Sequence, residues 1–327
     1  MNALVQPAPP DQAATMPIEH IDVSNPYLYQ DDTWRPYFAR LRREDPVHWC
    51  PNGIYGAYWS VTRYRDIMAV DTNHQAFSSD ALMGGIVLRD LPVDLRRPSF
   101  ISMDPPKHDE QRKTVAPIVA PGNLQKLSGT IRERTARVLD SLPRGETFDW
   151  VQHVSVNLTT QMLATLFDFP FEERQKLTYW SNVATVNTRA GTEVDSEAKR
   201  NEILDQAMAY FMRLWDERAK QPPRPDLISM LAHGEATRDL PSRPHEFMGN
   251  VMLLVVGGND TTRNSMSGSL LALNQFPDEY RKLKANPGLV TSMVPEVIRW
   301  QTPVIHMRRT AMADTEVGGK LIRKGQK

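Results

Sequence analysis

Residues 251–264 read Val-Met-Leu-Leu-Val-Val-Gly-Gly-Asn-Asp-Thr-Thr-Arg-Asn, an apolar run followed by two glycines and a polar cluster. Apolar residues at helical spacing around it predict one exceptionally long helix over residues 244–274. Within that helix, Gly257 and Gly258 each cost roughly 1 kcal/mol relative to alanine. Asp260 and Thr261 compete for backbone hydrogen bonds. The sequence therefore predicts a helix that is weakened or bent at this point.

A penalty of this kind often accompanies a functional site. Gly257 and Gly258 would let a large flat ligand approach the helix backbone. The Thr261 hydroxyl, beside the Asp260 carboxylate, could hold a water chain and pass protons inward. The alternative is a kink in which Asp260 is satisfied by its neighbours and has no catalytic duty. The stretch alone supports both interpretations equally.

The rest of the chain predicts a mainly α-helical fold with small β-sheets. Apolar spacing is helical through residues 108–221, and residues 78–106 form a long irregular segment, which is a candidate binding loop. The other predicted elements are a helix at 34–44, strands at 47–49 and 57–62, helices at 277–286 and 289–302, and strands with a turn within 308–322. Residues 1–20 lack periodicity and are expected to be a flexible arm before one domain, residues 21–327.

Composition excludes several classes of function. The 39 basic and 39 acidic residues among 327 cancel, so no general attraction to nucleic acid is expected. Cys50 is the single cysteine, which excludes an internal disulfide framework and a cysteine-based metal cluster within the chain. We expect Cys50 to be a small buried residue. No signal peptide and no transmembrane segment are predicted, which indicates a cytoplasmic protein.

Three basic side chains are candidate anion ligands. His108 and Arg112 stand four residues apart at the start of a predicted helix, so both can face one carboxylate or phosphate. Arg309 is a possible third donor. A solvated basic helix face is the commoner explanation for such a pair.

Glu296 and Arg299 stand three residues apart, a spacing that lets them meet on one helix face. Most pairs of this kind are solvated and contribute little to stability. Glu296 lies in an apolar helix, so we expect a buried pair that specifies architecture rather than performs chemistry.

In their order along the chain, these features resemble the cytochrome P450 superfamily. The resemblance rests on four groups of residues: 103–108 with Arg112, 257–262, Glu296 with Arg299, and 303–311. Residues 257–264 and 100–104 are most similar to soluble bacterial P450s that hydroxylate the terminal carbon of alkanes and fatty acids. Both resemblances are based on these motifs. They extend over the chain from about residue 25 onward.

The resemblance implies a role for each motif. Haem b would lie against Gly257 and Gly258, and Asp260 and Thr261 would form an acid–alcohol pair that delivers protons to the oxygen chemistry. By the same match, the propionates of haem would be held by His108, Arg112 and Arg309. Glu296 and Arg299 would be the structural pair that supports the haem-binding core.

The resemblance also implies that the metal ligand is missing. The cysteine that ligates haem in the family lies in a loop downstream of Lys327, so we expect no metal ligand in this chain. Cys50 lies in a strand-like segment near the opposite end and cannot replace it. The chain is accordingly expected to be a C-terminally truncated fragment, incomplete in fold and inactive by itself.

The implied activity is insertion of one oxygen atom of O2 into an unactivated C–H bond, with the terminal carbon of medium-chain alkanes or fatty acids as the target. A ferredoxin and its NAD(P)H-dependent reductase would supply electrons. An apolar pocket is expected, about half of its candidate residues being ordinary core: Met83, Ile86, Val87, Leu88, Val256, Val304 and Ile305. The alternatives are a P450 acting on terpenes or other bulky apolar compounds, and a non-catalytic helical ligand-binding protein.

Overall fold

A computed structural model describes residues 12–93, 96–186, 188 and 191–327. Within these residues, helices dominate and the strands pair as three two-stranded antiparallel sheets. The predicted class, mainly α with small β-sheets, is confirmed. The chain divides into two units, residues 1–108 with 306–327 and residues 109–305.

The first unit contains all the strands of the described chain. The strands Val47–Cys50 and Tyr58–Val61 pair so that Trp49 lies opposite Trp59, and the strands expected within 308–322 are present. The elements are α1 (Gln12–Thr15), α2 (Tyr27–Gln30), α3 (Arg35–Glu44), β1 (Val47–Cys50), β2 (Tyr58–Val61), α4 (Tyr64–Asp71), β3 (Phe77–Ser78), β4 (Thr310–Ala311), β5 (Thr315–Val317) and β6 (Lys320–Ile322). A cluster of buried residues joins the three sheets: Val47, Phe77, Ala311, Val317 and Ile322.

Residues 12–20 are packed into the first unit, although the sequence suggested a flexible arm over residues 1–20. Ala13 is buried in the same apolar cluster as Leu41. Arg40 donates to the Ala13 carbonyl at 3.0 Å and to the Met16 carbonyl. The methyl group of Ala13 thus completes the apolar face of α3, a long-range contact that local periodicity does not reveal. Residues 1–11 lie outside the described residues.

Cys50 is buried, as predicted, in a small cluster with Tyr58 and Leu88. Burial is the main reason that the pKa of the Cys50 thiol rises to about 11, and the nearby Asp22 carboxylate adds to the shift. Leu88, one of the expected pocket residues, is therefore part of the protein core.

The second unit is entirely helical in its described part, apart from connecting segments. Helix α5 (Lys107–Val115) begins at the end of the first unit and continues into the second. The other helices are α6 (Pro121–Asp140), α7 (Asn157–Phe167), α8 (Gln175–Thr185), α9 (Glu197–Ala219), α10 (Leu227–His233), α11 (Pro244–Gln275), α12 (Pro277–Ala285) and α13 (Val290–Gln301). The predicted helices at 244–274, 277–286 and 289–302 are confirmed, with small differences at their ends.

Helix α11 is the longest helix of the described chain, with 32 residues, and it contacts α7, α8 and α13. Its first half is buried, whereas most side chains after Asn259 are partly exposed. The helix continues through Gly257 and Gly258 without a break. Among the described residues, no helix combines the length and the apolarity needed to cross a membrane.

Candidate functional site

Asp260 is held by an ion pair within α11. Its Oδ1 accepts a hydrogen bond from Arg263 Nη2 at 2.7 Å, and Arg263 Nη1 donates to Asn182 Oδ1 of α8 at 3.2 Å. The Asp260 and Arg263 side chains are 17% and 18% exposed, so the pair is largely shielded from solvent. The second oxygen of Asp260, Oδ2, has no hydrogen-bond partner among the described residues. That oxygen is the one left to exchange a proton.

Asn259 supports Asp260 from the buried side of the helix. It is fully buried, its Oδ1 accepts a hydrogen bond from Thr159 of α7 at 3.2 Å, and its amide lies 3.3 Å from Asp260 Oδ1. Sequence reasoning missed both Asn259 and Arg263. The available signals were an amide side chain at the start of the polar cluster and a basic residue three positions after Asp260.

Thr261 shares a helix face with Gly257. Its hydroxyl donates to the Gly257 carbonyl at 2.8 Å, so the proton points at the backbone while the oxygen lone pairs can still accept. This bond is the local competition with the backbone that the sequence predicted, and it leaves the helix intact. The acid and the alcohol are thus neighbours on α11 with different surroundings.

The two glycines have different roles in the structure. A Cβ on Gly258 would lie 2.8 Å from Leu163 Cδ1, so Gly258 allows α7 and α11 to approach closely. A Cβ on Gly257 would meet no described atom within 4 Å. The helix surface at Gly257 is therefore open, and a flat ligand could lie against its backbone.

His108 and Arg112 lie one turn apart on α5. His108 Nδ1 bonds the Phe100 carbonyl at 2.7 Å, which leaves Nε2 to meet a ligand. Arg112 is exposed, and in the described part of the chain its guanidinium has neither an ion-pair nor a hydrogen-bond partner. The imidazolium form of His108 and the Arg112 fork are both suitable donors to a carboxylate. Arg112 and the open backbone at Gly257, which both belong to the second unit, suit the negative charge of a propionate and the flat shape of haem.

Gln111 fixes this part of α5 to the buried half of α11. Its Nε2 donates to Glu246 Oε1 at 2.5 Å, and its Oε1 accepts from Asn250 Nδ2 at 3.0 Å. Gln111 and Asn250 are almost completely buried, so both ends of each amide need partners. The residue was not singled out in the sequence, yet it determines where the next residue, Arg112, lies.

Arg309 pairs within the first unit. Its Nη2 lies 2.5 Å from Asp71 Oδ1, and its Nη1 donates to the Arg308 carbonyl at 2.9 Å. Two of its nitrogens are thus already satisfied by protein groups, unlike those of Arg112. A guanidinium carries five N–H donors, so these two bonds leave Arg309 able to donate to a carboxylate as well.

Glu296 and Arg299 meet as the spacing predicts. Arg299 Nε donates to Glu296 Oε2 at 2.7 Å, and Arg299 Nη2 donates to Glu296 Oε1 at 2.6 Å. The hydrogen bonds from Arg299 hold the pKa of Glu296 below its ordinary value. The pair is not buried, because the two side chains are 61% and 69% exposed. The expected burial is corrected: the apolar residues around Glu296, Val294 and Ile298, are also exposed, so no described segment covers this side of α13.

The expected pocket residues differ in exposure. Val87, Val304 and Ile305 are exposed, Val256 is half-buried on α11, and Leu88 is core. Met83 and Ile86 are half-buried, and their carbonyls accept hydrogen bonds from the segment that contains β4. Four of these side chains belong to the first unit and three to the second.

Two curated proteins are similar over most of this chain. One is linalool 8-monooxygenase of Pseudomonas putida, 35% identical over 323 residues, which are 95% of this chain and 78% of that protein. Steroid C26-monooxygenase of Mycolicibacterium smegmatis is 32% identical over 301 residues, 88% of this chain and 68% of the relative. No family model matches the chain.

Solved structures give the same result at higher identity. CYP153D17 from Sphingomonas sp. PAMC 26605 is 48% identical with a TM-score of 0.85, over 93% of this chain and 76% of that one. Cytochrome P450-153 from Novosphingobium aromaticivorans is 45% identical with a TM-score of 0.83, over 91% and 74%. The chain belongs to the cytochrome P450 superfamily, whose members are monooxygenases with haem b as cofactor.

Proposed function

We propose that the protein is a cytoplasmic monooxygenase that hydroxylates the terminal carbon of medium-chain alkanes or fatty acids. The observation that carries the proposal is the arrangement on α11, where Thr261 and the open backbone of Gly257 share one face and the paired carboxylate of Asp260 is adjacent. The alkane and fatty-acid specificity is supported by the resemblance of residues 257–264 and by the apolar character of the candidate pocket residues.

Haem, when bound, supplies the iron that activates O2 and oxidises the substrate C–H bond. The chain contributes the surroundings. Gly257 leaves room beside the helix, and His108 Nε2 and Arg112 would donate to the propionates of haem. The Thr261 oxygen can accept a hydrogen bond while its proton is held by Gly257, and Asp260 Oδ2 can take up a proton from water and pass it on.

Cys50 does not fit the role of the thiolate ligand. Its sulfur is buried among Tyr58 and Leu88, and burial raises its pKa to about 11, which disfavours the thiolate. We therefore propose that Cys50 only fills space in the first unit.

Redox partners are proposed to be a ferredoxin and its NAD(P)H-dependent reductase. Lys107 and Lys113 lie exposed at the two ends of α5 and would attract an acidic partner. Reconstitution with such a pair, compared with a flavodoxin, tests this part: turnover with the flavodoxin alone would contradict it.

A terpene substrate is the second candidate, because the 35% identical relative is a linalool 8-monooxygenase. Linalool is an acyclic terpene alcohol, so it also presents a flexible hydrocarbon chain. The alternatives are separated by incubating the holoenzyme, meaning the protein loaded with haem, with octane, dodecanoic acid, linalool and a cyclic terpene.

Terminal alcohols from octane or dodecanoic acid are the expected products. Product from the terpenes alone would overturn the alkane and fatty-acid assignment. Binding of these compounds without any oxygenated product would favour a non-catalytic ligand-binding protein.

A further inference from the structure

Three residues near the end of the chain hold residues 83–90 through backbone carbonyls. The Arg308 amide donates to Ile86 at 2.8 Å, Thr310 Oγ1 donates to Met83 at 2.9 Å, and Lys327 Nζ donates to Leu88 at 3.0 Å. All these residues belong to the first unit. The segment that contains four candidate pocket residues is therefore bound along its length rather than free.

Asp90 is the acidic residue of this arrangement. Its Oδ1 lies 2.5 Å from Arg308 Nη1 and its Oδ2 lies 2.8 Å from Lys327 Nζ. The Arg308 and Lys327 side chains are only 6% and 8% exposed, whereas Asp90 is 60% exposed. Two buried cations thus pair with one carboxylate at the surface, and removing it would leave both without an acidic partner among the described residues.

The absence of a side chain at Gly84 makes room for the guanidinium of Arg308. Gly84 has a φ of +112°, and a Cβ placed on it would overlap Arg308 Nη2. The guanidinium occupies the space that a side chain at position 84 would take. Movement of Arg308 and movement of this segment are therefore coupled.

We propose that Asp90, together with Arg308 and Lys327, forms a clamp that holds residues 83–88 in the conformation presented to the substrate. In this role Asp90 is a positioning residue that determines specificity without touching the substrate. The inference rests on the proposed function, because it takes Met83, Ile86 and Val87 as substrate contacts. Leu88 anchors the same segment from the other side, since it is packed against Cys50 and Tyr58.

The first measurement is hydrogen exchange of the Asp90→Ala holoenzyme. Peptides covering residues 83–90 should exchange about tenfold faster than in the unsubstituted protein, because local opening no longer breaks two ion pairs. Asp314→Ala is the matched control, since it also removes a carboxylate paired with an arginine, Arg323 at 2.8 Å, in the same unit. Equal exchange in both variants and the unsubstituted protein would overturn the clamp.

The second measurement is substrate affinity, read from the change in the haem spectrum with dodecanoic acid and with linalool. Asp90→Ala should raise Kd and KM about fivefold, keep kcat per haem within about twofold, and shift the position of hydroxylation. Reduced haem content with an unchanged KM and an unchanged product would show a merely structural role, which overturns the specificity assignment.

Lys327→Met is a second test in case Asp90→Ala does not fold, because it keeps the ion pair between Arg308 and Asp90. It should show the same two changes at smaller size, and the double variant should fall short of the sum of the single effects. Additive effects would overturn the idea that the three residues act as one unit. If neither compound binds or reacts with the unsubstituted holoenzyme, the proposed substrate class fails, while the exchange measurement still decides whether the clamp exists.

Discussion

The guanidinium of Arg263 lies 2.7 Å from the carboxylate of Asp260, one turn further along the same helix. Arg263 also donates to Asn182 on α8, and the Asn259 amide donates to Asp260 Oδ1 at 3.3 Å, so both members of the ion pair have a second partner. Asp260 Oδ1 is thereby occupied and Oδ2 is oriented. A carboxylate that is held in this way can exchange protons from a defined position, as proton transfer at an active site requires.

Removing either partner should slow product formation. Asp260→Asn should lower it by about 100-fold, and Arg263→Gln, which keeps the carboxylate but frees it to rotate, by about tenfold. Product per haem measures both effects. Lys282→Gln is the control, because it breaks a pair of the same spacing with Glu279 on α12. An Arg263→Gln variant as active as Lys282→Gln would contradict the orienting role.

Thr261→Ala should uncouple oxygen consumption from hydroxylation. The variant loses the hydroxyl that bonds the Gly257 carbonyl, while Asp260 and its partner Arg263 are unchanged. We expect product per NADH to fall several-fold and hydrogen peroxide to rise. Thr262→Ala is the matched control, since Thr262 is the exposed neighbour. An unchanged yield per NADH in Thr261→Ala would refute the proton-delivery role.

Gly257→Ala should separate the stability of the chain from haem binding. Alanine is favoured over glycine in a helix by roughly 1 kcal/mol, and the added Cβ meets no described atom. The haem-free protein should therefore gain about 1 kcal/mol in urea unfolding while haem content falls. Gly258→Ala should show no such gain, because its Cβ would press on Leu163. Normal haem content in Gly257→Ala would argue against haem at this surface.

Cys50 should be unreactive in the native protein. Its raised pKa and its burial keep the thiol protonated and inaccessible, so alkylation by iodoacetamide at pH 8 should become fast only in denaturant. Cys50→Ala should keep the thiolate-specific absorption of the ferrous carbon monoxide complex. Loss of that absorption with normal haem content would identify Cys50 as the ligand after all.

The Asp90 clamp should weaken in acid. Burial works to raise the pKa of Asp90, but hydrogen bonds from Lys327 and Arg308 outweigh it and hold the pKa below its ordinary value. A carboxyl group whose pKa is lower in the folded state stabilises the folded protein at pH values above its unfolded-state pKa of about 3.9. This stability is lost as the pH falls through the lower, folded-state pKa.

The measurement is the free energy of urea unfolding from pH 7 to acid, for the unsubstituted protein and Asp90→Asn. Their difference should be constant near neutrality and should shrink once pH falls below about 4. A difference that does not change with pH in the acid range would mean that charge on Asp90 is not what stabilises the segment.

Sequence reasoning succeeded where the information is local. The extent of α11 follows from apolar periodicity, and the meeting of Glu296 with Arg299 follows from helical spacing. It failed where a contact joins distant segments. The partnership of Arg263 with Asn182 crosses 81 positions of the chain. Spacing along one helix cannot reveal which helix lies beside it.

The same distinction explains the corrections. The exposure of Glu296 and the packing of residues 12–20 both depend on what covers a surface, which no local pattern specifies. Leu88 looked like its neighbours in the loop, yet its packing against Cys50 makes it core.

The hydrogen bond between Thr159 and Asn259 sets the rotation of α11 about its own axis. Successive side chains on a helix are turned by about 100°, so Asn259, Asp260 and Thr261 point in three directions. With Asn259 turned inward to Thr159, Asp260 is directed to Arg263 and Thr261 to the face of Gly257. A single-residue deletion upstream in α11 would turn this triplet out of phase with α7, although every functional residue would still be present.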